Sequence, residues 1–263
     1  METNINGVNM YFERRGEGAN RILVLHGWGC GGSIFHPVTD GMGDCAFLIP
    51  DLPGHGRSAC PDEPWGVEEY ARCVYQLLKE NSFLPCGIMA HSFGGRIALV
   101  LAEQHPADFD RLLLTGCAGI RPEKTEEQKK REAEFKKERR RLDAVGKIPF
   151  LRHYAEVMTE DLRQRYGSAD YRALSPLMRQ TFSKIVENDL RPLLPKITAP
   201  TLLVWGDRDT ETPLWMGRIM EKEIPDAGLV VFENDDHFAF AHQWKRFSVI
   251  AERFFTDRGE AAV

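Results

Sequence analysis

Ala90-His91-Ser92-Phe93-Gly94-Gly95 decides how this chain is read. It follows the apolar run Gly87–Met89 and precedes a helix-like segment, Arg96–Glu103. A serine between a strand and a helix sits on a sharp, strained turn that thrusts its hydroxyl out above the sheet edge. The turn is crowded, so the positions two before and two after the serine must be small. Ala90 and Gly94 meet that need. Alanine at the first position departs from the usual G-x-S-x-G by one methyl, which a slightly opened turn holds. The helix that starts here also points its first amides at the serine. The bland alternative is a glycine-rich turn carrying a surface serine. The strand before it and the helix after it weigh against that alternative.

Outward from the serine, the pattern is strand and helix in alternation. Met10 and Phe12 alternate with polar neighbours across Asn9–Arg14, as in a half-buried strand. Ile22–Leu25, Ala46–Ile49, Arg111–Leu114, Thr201–Trp205 and Gly228–Phe232 read as further strands, mostly continuous apolar runs that suit burial on both faces. Val67–Lys79 is amphipathic, and Gln243–Phe255 ends the chain as a helix. Such alternation predicts an α/β fold, with a mostly parallel central sheet flanked by helices.

The alternation breaks once. From Gly119 to Pro195 no strand is predicted. The charged Glu123–Arg141, then Ile148–Met158, a polar turn near Tyr166–Asp170 and a helix-like Pro176–Val186 fill the gap. Pro192, Pro195 and Pro200 mark the return to the core. The expected division is therefore a core of residues 1–118 and 196–263, interrupted by an all-helical cap at 119–195. The basic run Lys136, Lys137, Arg139, Arg140 and Arg141 reads as a solvated helix face, with a docking patch for an acidic carrier protein as the minority reading.

A chain of 263 residues is long enough to bury such a core without metals or disulfides. The net charge of −5 gives no case for a nucleic-acid partner. No run approaches the roughly 20 apolar residues that span a bilayer, and the polar Met1–Asn6 lacks the order of a signal peptide. A cytoplasmic protein with free, mostly buried cysteines is expected. The six cysteines have no C-x-x-C pair and no metal-spaced histidine, so no metal site is expected.

Three further motifs carry chemistry. His26-Gly27-Trp28-Gly29 follows the run Ile22–Leu25. A glycine-bounded loop there supplies a backbone amide to a developing oxyanion, and the residue after the serine supplies a second. Trp28 and Phe93 are the candidate oxyanion-hole amides, with His26 bracing the loop. Trp205-Gly206-Asp207-Arg208-Asp209 follows the next-to-last strand, and carboxylates at a strand's C-terminal end lie on the face where open α/β sheets place their sites. Asp209 is the candidate acid and Asp207 its rival. Asn234-Asp235-Asp236-His237-Phe238 follows the last strand and offers His237 as base. Ser92, Asp209 and His237 would then form a Ser-His-Asp triad, each member just after a strand.

With these motifs, and with the loop Asp51-Leu52-Pro53-Gly54-His55-Gly56-Arg57-Ser58, the chain resembles the α/β-hydrolase superfamily over nearly its whole length outside the helical insertion. It is similar to small capped carboxylesterases, including the pimeloyl-carrier methyl esterases, and to enol-lactone hydrolases. The family's acid lies in G-x-x-D, which matches Gly206 to Asp209 and favours Asp209. Glycines usually precede the family's histidine; here Asp235 and Asp236 replace them. The resemblance implies a cofactor-free serine hydrolase that cleaves a small carboxylic ester through an acyl-enzyme. Lactone or thioester hydrolysis uses the same residues. A lyase or C–C hydrolase of the same fold is the rival chemistry, and a non-catalytic ligand-binding protein the third reading. Phe150, Tyr154 and Met178 are the expected substrate-contacting residues of the cap. His55 and His91 are read as structural.

Overall fold

Alternate residues of the apolar runs feed two different cores, and this makes them strands. Ile22 and Val24 face one cluster, whereas Leu23 and Leu25 face the other; all four are fully buried. Burying side chains of this size contributes about 1.5–3 kcal/mol each. In this computed structural model, which describes residues 1–121, 125–166 and 174–257, the strands are β1 (Glu2–Ile5), β2 (Val8–Arg15), β3 (Asn20–Leu25), β4 (Cys45–Pro50), β5 (Cys86–His91), β6 (Phe109–Thr115), β7 (Thr201–Gly206) and β8 (Ala227–Phe232). They form one sheet in the order β1-β2-β4-β3-β5-β6-β7-β8. From β4 through to β8 every pairing is parallel; β1 and β2 are antiparallel additions at one edge.

The helices are α1 (His36–Asp40), α2 (Val67–Glu80), α3 (Phe93–Gln104), α4 (Glu126–Gly146), α5 (Arg152–Tyr166), α6 (Pro176–Glu187), α7 (Leu214–Glu223), α8 (Ala239–His242) and α9 (Trp244–Thr256). Residues of α2, α3 and α7 join the cluster on one face of the sheet. Residues of α1, α8 and α9 join the other. Glu69, in the first turn of α2, accepts the Gly66 N–H at 2.7 Å and so caps that helix.

Three features depart from the sequence reading. β1 was not expected; the turn Asn6-Gly7, with φ of 51° and 88°, closes a hairpin onto β2. Asn-Gly favours the left-handed conformations such a turn needs. α1, α7 and α8 likewise lie outside the helices read from the sequence. β8 is only partly buried, because it is the sheet's outer strand and has a partner on one side alone.

The chain divides into two compact units, Met1–Arg121 with Lys184–Val263, and Pro122–Ser183. Among the described residues from 116 to 200 the structure is helix, 3-10 helix or loop, with no strand. Within the second unit, α4 packs against α5, and Arg179 holds Glu160 through contacts of 2.6 and 2.7 Å. In the basic run, Lys136 pairs with Glu132 at 2.7 Å and Arg139 with Asp143 at 2.9 Å. The turn expected near Tyr166–Asp170 falls outside the described residues, apart from Tyr166 at the end of α5.

No helix of the described residues is long and apolar enough to cross a membrane.

Candidate active site

Ser92 stands between β5 and α3 with φ 50° and ψ −110°. A β-carbon at positive φ in this sparsely populated region stores roughly 1–3 kcal/mol of strain. The crowding inferred from sequence is explicit: a Cβ on Gly94 would lie 2.4 Å from the Leu25 carbonyl oxygen. Ser92 N–H donates to Thr115 at 3.1 Å, and Ala118 N–H donates to the Ser92 carbonyl at 3.2 Å. The elbow is thus tied on both sides to the strand end beside it. Ser92 itself is partly exposed.

Asp209 and His237 come together across the ends of β7 and β8. His237 Nδ1 lies 2.8 Å from Asp209 Oδ2, with both side chains almost fully buried. Asp209 Oδ1 accepts the backbone N–H of Glu211 at 2.9 Å and of Thr212 at 2.8 Å. Thr212 Oγ1 lies 2.8 Å from Asp209 Oδ2, 2.9 Å from the Gly116 carbonyl and 3.1 Å from His237 Nδ1. Burial pushes the Asp209 carboxyl up, but the hydrogen bonds from His237 and Thr212 outweigh it and hold the group below its ordinary value. An ionised Asp209 accepts from Nδ1–H, which fixes the imidazole tautomer and leaves the Nε2 lone pair open. Asp207, by contrast, is exposed.

The serine elbow and the histidine loop are joined through His91. Its ring lies 4.6 Å from that of His237, and its Nε2–H donates to the His237 carbonyl at 3.0 Å. The chain beside the elbow also packs on the Asp209–His237 pair. A Cβ at Gly116, where φ is +49°, would stand 3.1 Å from His237 Nδ1 and 3.3 Å from Asp209 Oδ2.

The loop after β3 approaches the serine from the other side. A Cβ on Gly27 would meet His91 Nδ1 at 2.7 Å and Ser92 Cβ at 3.3 Å. The rings of Trp28 and Phe93 lie edge to face at 5.3 Å, so the two residues expected to supply oxyanion amides are neighbours. His26 braces this loop: Leu52 N–H donates to Nε2 at 2.9 Å, so Nδ1 carries the proton and donates to the Gly27 carbonyl at 2.7 Å. Asp51 adds a second brace, accepting the Gly32 N–H at 2.7 Å and the Arg57 N–H at 2.8 Å.

Burial keeps both bracing imidazoles neutral. His26 is pushed down to about 4 and His91 to about 3, from 6.5. This has a consequence for stability. Below pH 6.5 the unfolded chain takes up protons on these rings that the folded state refuses. Stability is therefore complete above the unfolded value and is lost as pH falls towards the folded ones. The expected loss is about 1.4 kcal/mol per pH unit for each ring. Urea midpoints at about pH 7.5, 6 and 5 should decline stepwise once the pH falls below about 6.5. A midpoint flat across that range would show that the rings protonate freely in the folded protein.

Asp235 and Asp236 do not flank the imidazole in the way their sequence position suggests. Asp235 accepts from His242 Nδ1 at 2.7 Å and from Gln243 at 2.9 Å, and Asp236 accepts the Phe238 N–H at 2.8 Å. Burial pushes the Asp235 carboxyl up, but the hydrogen bonds from His242 and Gln243 outweigh it and hold the group below its ordinary value. These carboxylates shape the loop that presents His237. Gly206 lets the chain pass beneath them, because a Cβ there would fall 2.3 Å from the Asp236 carbonyl oxygen. In the second unit, Phe150 and Tyr154 are exposed and Met178 is buried. Thr212 and Glu211 escaped the sequence reading. The D-x-x-T spacing of a side chain that caps the backbone just ahead of it is the signal for the first.

Comparison with known proteins agrees with this fold. A family model described as the alpha/beta hydrolase family matches residues 22–248. The pimeloyl-[acyl-carrier protein] methyl ester esterase of Chromobacterium violaceum is 29% identical over 260 residues, spanning 95% of this chain and 99% of that one. Among solved structures, the enol-lactonase from Burkholderia xenovorans LB400 has a TM-score of 0.74 at 22% identity, covering 97% of this chain and 100% of that one. The meta-cleavage product hydrolase from Pseudomonas fluorescens IP01 has a TM-score of 0.73 at 21% identity, covering 98% of each. At such identities these structures share the fold alone. The family match runs over most of the chain, so this protein belongs to the alpha/beta hydrolase family.

Proposed function

We propose that the protein is a serine hydrolase that cleaves small carboxylic esters through an acyl-enzyme, with Ser92, His237 and Asp209 as its triad. The observation that carries this reading is the 2.8 Å bond between Asp209 and His237 Nδ1, on the sheet edge that also bears the strained Ser92. Ser92 Oγ attacks the ester carbonyl as His237 Nε2 takes its proton. The tetrahedral oxyanion is met by the N–H groups of Trp28 and Phe93. His237 then gives the proton to the leaving alcohol, and water enters by the same route in reverse. Asp209 stays ionised and stabilises the imidazolium. Every step uses groups of this chain.

Ester cleavage is preferred to lactone or thioester cleavage because of the methyl ester esterase relative. We further propose that residues 119–195 act as a cap that sets substrate choice, with Phe150, Tyr154 and Met178 among its contacts. The basic face of α4 is taken as solvated, since Lys136 and Arg139 already have acidic partners. A turnover screen over p-nitrophenyl esters, lactones and acyl thioesters tests the reading. Esters of short acyl chains are expected to give the highest kcat/KM, with one water oxygen incorporated into the acid product. Turnover confined to lactones or thioesters, with no ester hydrolysed, would reject it.

A further inference from the structure

The turn that holds Asp209 also sets a second carboxylate on the opposite side of the same ring. Because Asp209 Oδ1 accepts the N–H of both Glu211 and Thr212, the backbone at 211 wraps around the acid. Asp209 approaches His237 at Nδ1. Glu211 approaches at the other nitrogen, with Oε2 3.6 Å from Nε2. The two acids differ in setting: the Asp209 side chain is wholly buried, whereas that of Glu211 is 65% exposed. Glu211 also faces the loop after β3. Burial, and after it the Glu211 charge, pushes the Cys30 thiol up.

Nε2 is the atom that must hand a proton to the leaving oxygen. A general acid does so from roughly 2.6–3.2 Å. The Glu211 carboxylate therefore stands within about 7 Å of the leaving alcohol's oxygen, and on the solvent side of the ring. The carboxylate is too exposed to be a structural acid, and Asp209 already orients the imidazole. What it adds is negative charge where the departing alcohol lies.

We propose that Glu211 is a specificity-determining residue, which favours esters whose leaving alcohol carries a positive charge close to the ester oxygen and disfavours anionic alcohols. This rests on the assignment of Ser92 and His237 above. The charge is present in bound substrate and transition state alike, so the preference falls mainly on KM. Solvent and salt attenuate an exposed carboxylate, which sets the expected effect at severalfold rather than orders of magnitude.

The test compares butyrylcholine with 3,3-dimethylbutyl butyrate, in which carbon replaces the ammonium nitrogen at the same shape. The readout is the ratio of their kcat/KM values within each protein, so any change in the triad's own rate cancels. Glu211→Gln should lower the ratio about fivefold, and Glu211→Lys should lower it further. In the unaltered protein, raising salt from about 50 mM to about 500 mM should also lower the ratio, with no mutation involved. In Glu211→Gln that salt effect should vanish. Ratios that agree within about twofold across all three proteins, together with a salt-independent ratio, would overturn the proposal. Failure of the unaltered protein to hydrolyse either ester would instead overturn the ester-hydrolase reading, and this proposal with it.

Discussion

Ser92→Ala is expected to lower kcat/KM for ester hydrolysis by about 10⁴-fold or more, with the fold intact. The serine projects from a turn whose neighbours are packed without it: Gly94 against Leu25, Gly95 against Cys117 and the Ser92 backbone against Thr115 and Ala118. Removing one hydroxyl leaves all of these contacts in place. What remains after the change is binding and oxyanion stabilisation, without a nucleophile. Kinetics on short p-nitrophenyl esters check the rate, and urea unfolding checks the fold. Ser92→Gly supplies a second arm. Glycine at φ 50° relieves strain that alanine keeps, so it should raise the urea midpoint relative to Ser92→Ala while being equally inactive. Hydrolysis by purified, folded Ser92→Ala within about tenfold of the unaltered protein would remove Ser92 from the mechanism.

Asp209→Asn is expected to cost about 10⁴-fold in kcat, whereas Asp207→Asn should change it by less than about twofold. The geometry explains the contrast. Asp209 Oδ2 accepts from Nδ1–H, and an amide that donates there would turn the imidazole to its other tautomer and close the Nε2 lone pair. Its other oxygen holds the turn through Glu211 and Thr212, so the variant keeps much of the local backbone. Asp207 sits in solvent and has no part in this network. Parallel kcat measurements on the two variants decide it. A larger loss in Asp207→Asn would move the acid to that position.

The sheet was legible because its central strands are buried on both faces, which forces uninterrupted apolar runs such as Ile22–Leu25 and Leu112–Leu114. The Ser92 elbow was legible for a related reason. Its packing excludes side chains at fixed offsets, so small residues mark it in one dimension. β1 was hidden because a polar edge strand carries little periodicity, although Asn6-Gly7 marks its hairpin turn. The site's inner wiring was harder to see. Thr212 bridges Asp209, His237 and Gly116 through one hydroxyl, and nothing in a linear sequence reports where that oxygen points. The partners of Asp235 were hidden for the same reason: the turn after β8 sends its carboxylate to His242 and Gln243.

In the proposed mechanism Ser92 forms the covalent intermediate, activated by the His237–Asp209 pair. The most direct measurement is peptide mass mapping after brief exposure of the folded protein to a small fluorophosphonate. One stoichiometric adduct is expected on the peptide containing Ser92, formed in step with loss of esterase activity. Labelling should slow severely in Asp209→Asn. An enzyme fully inactivated while Ser92 stays unmodified, or an adduct carried by another residue, would contradict that mechanism.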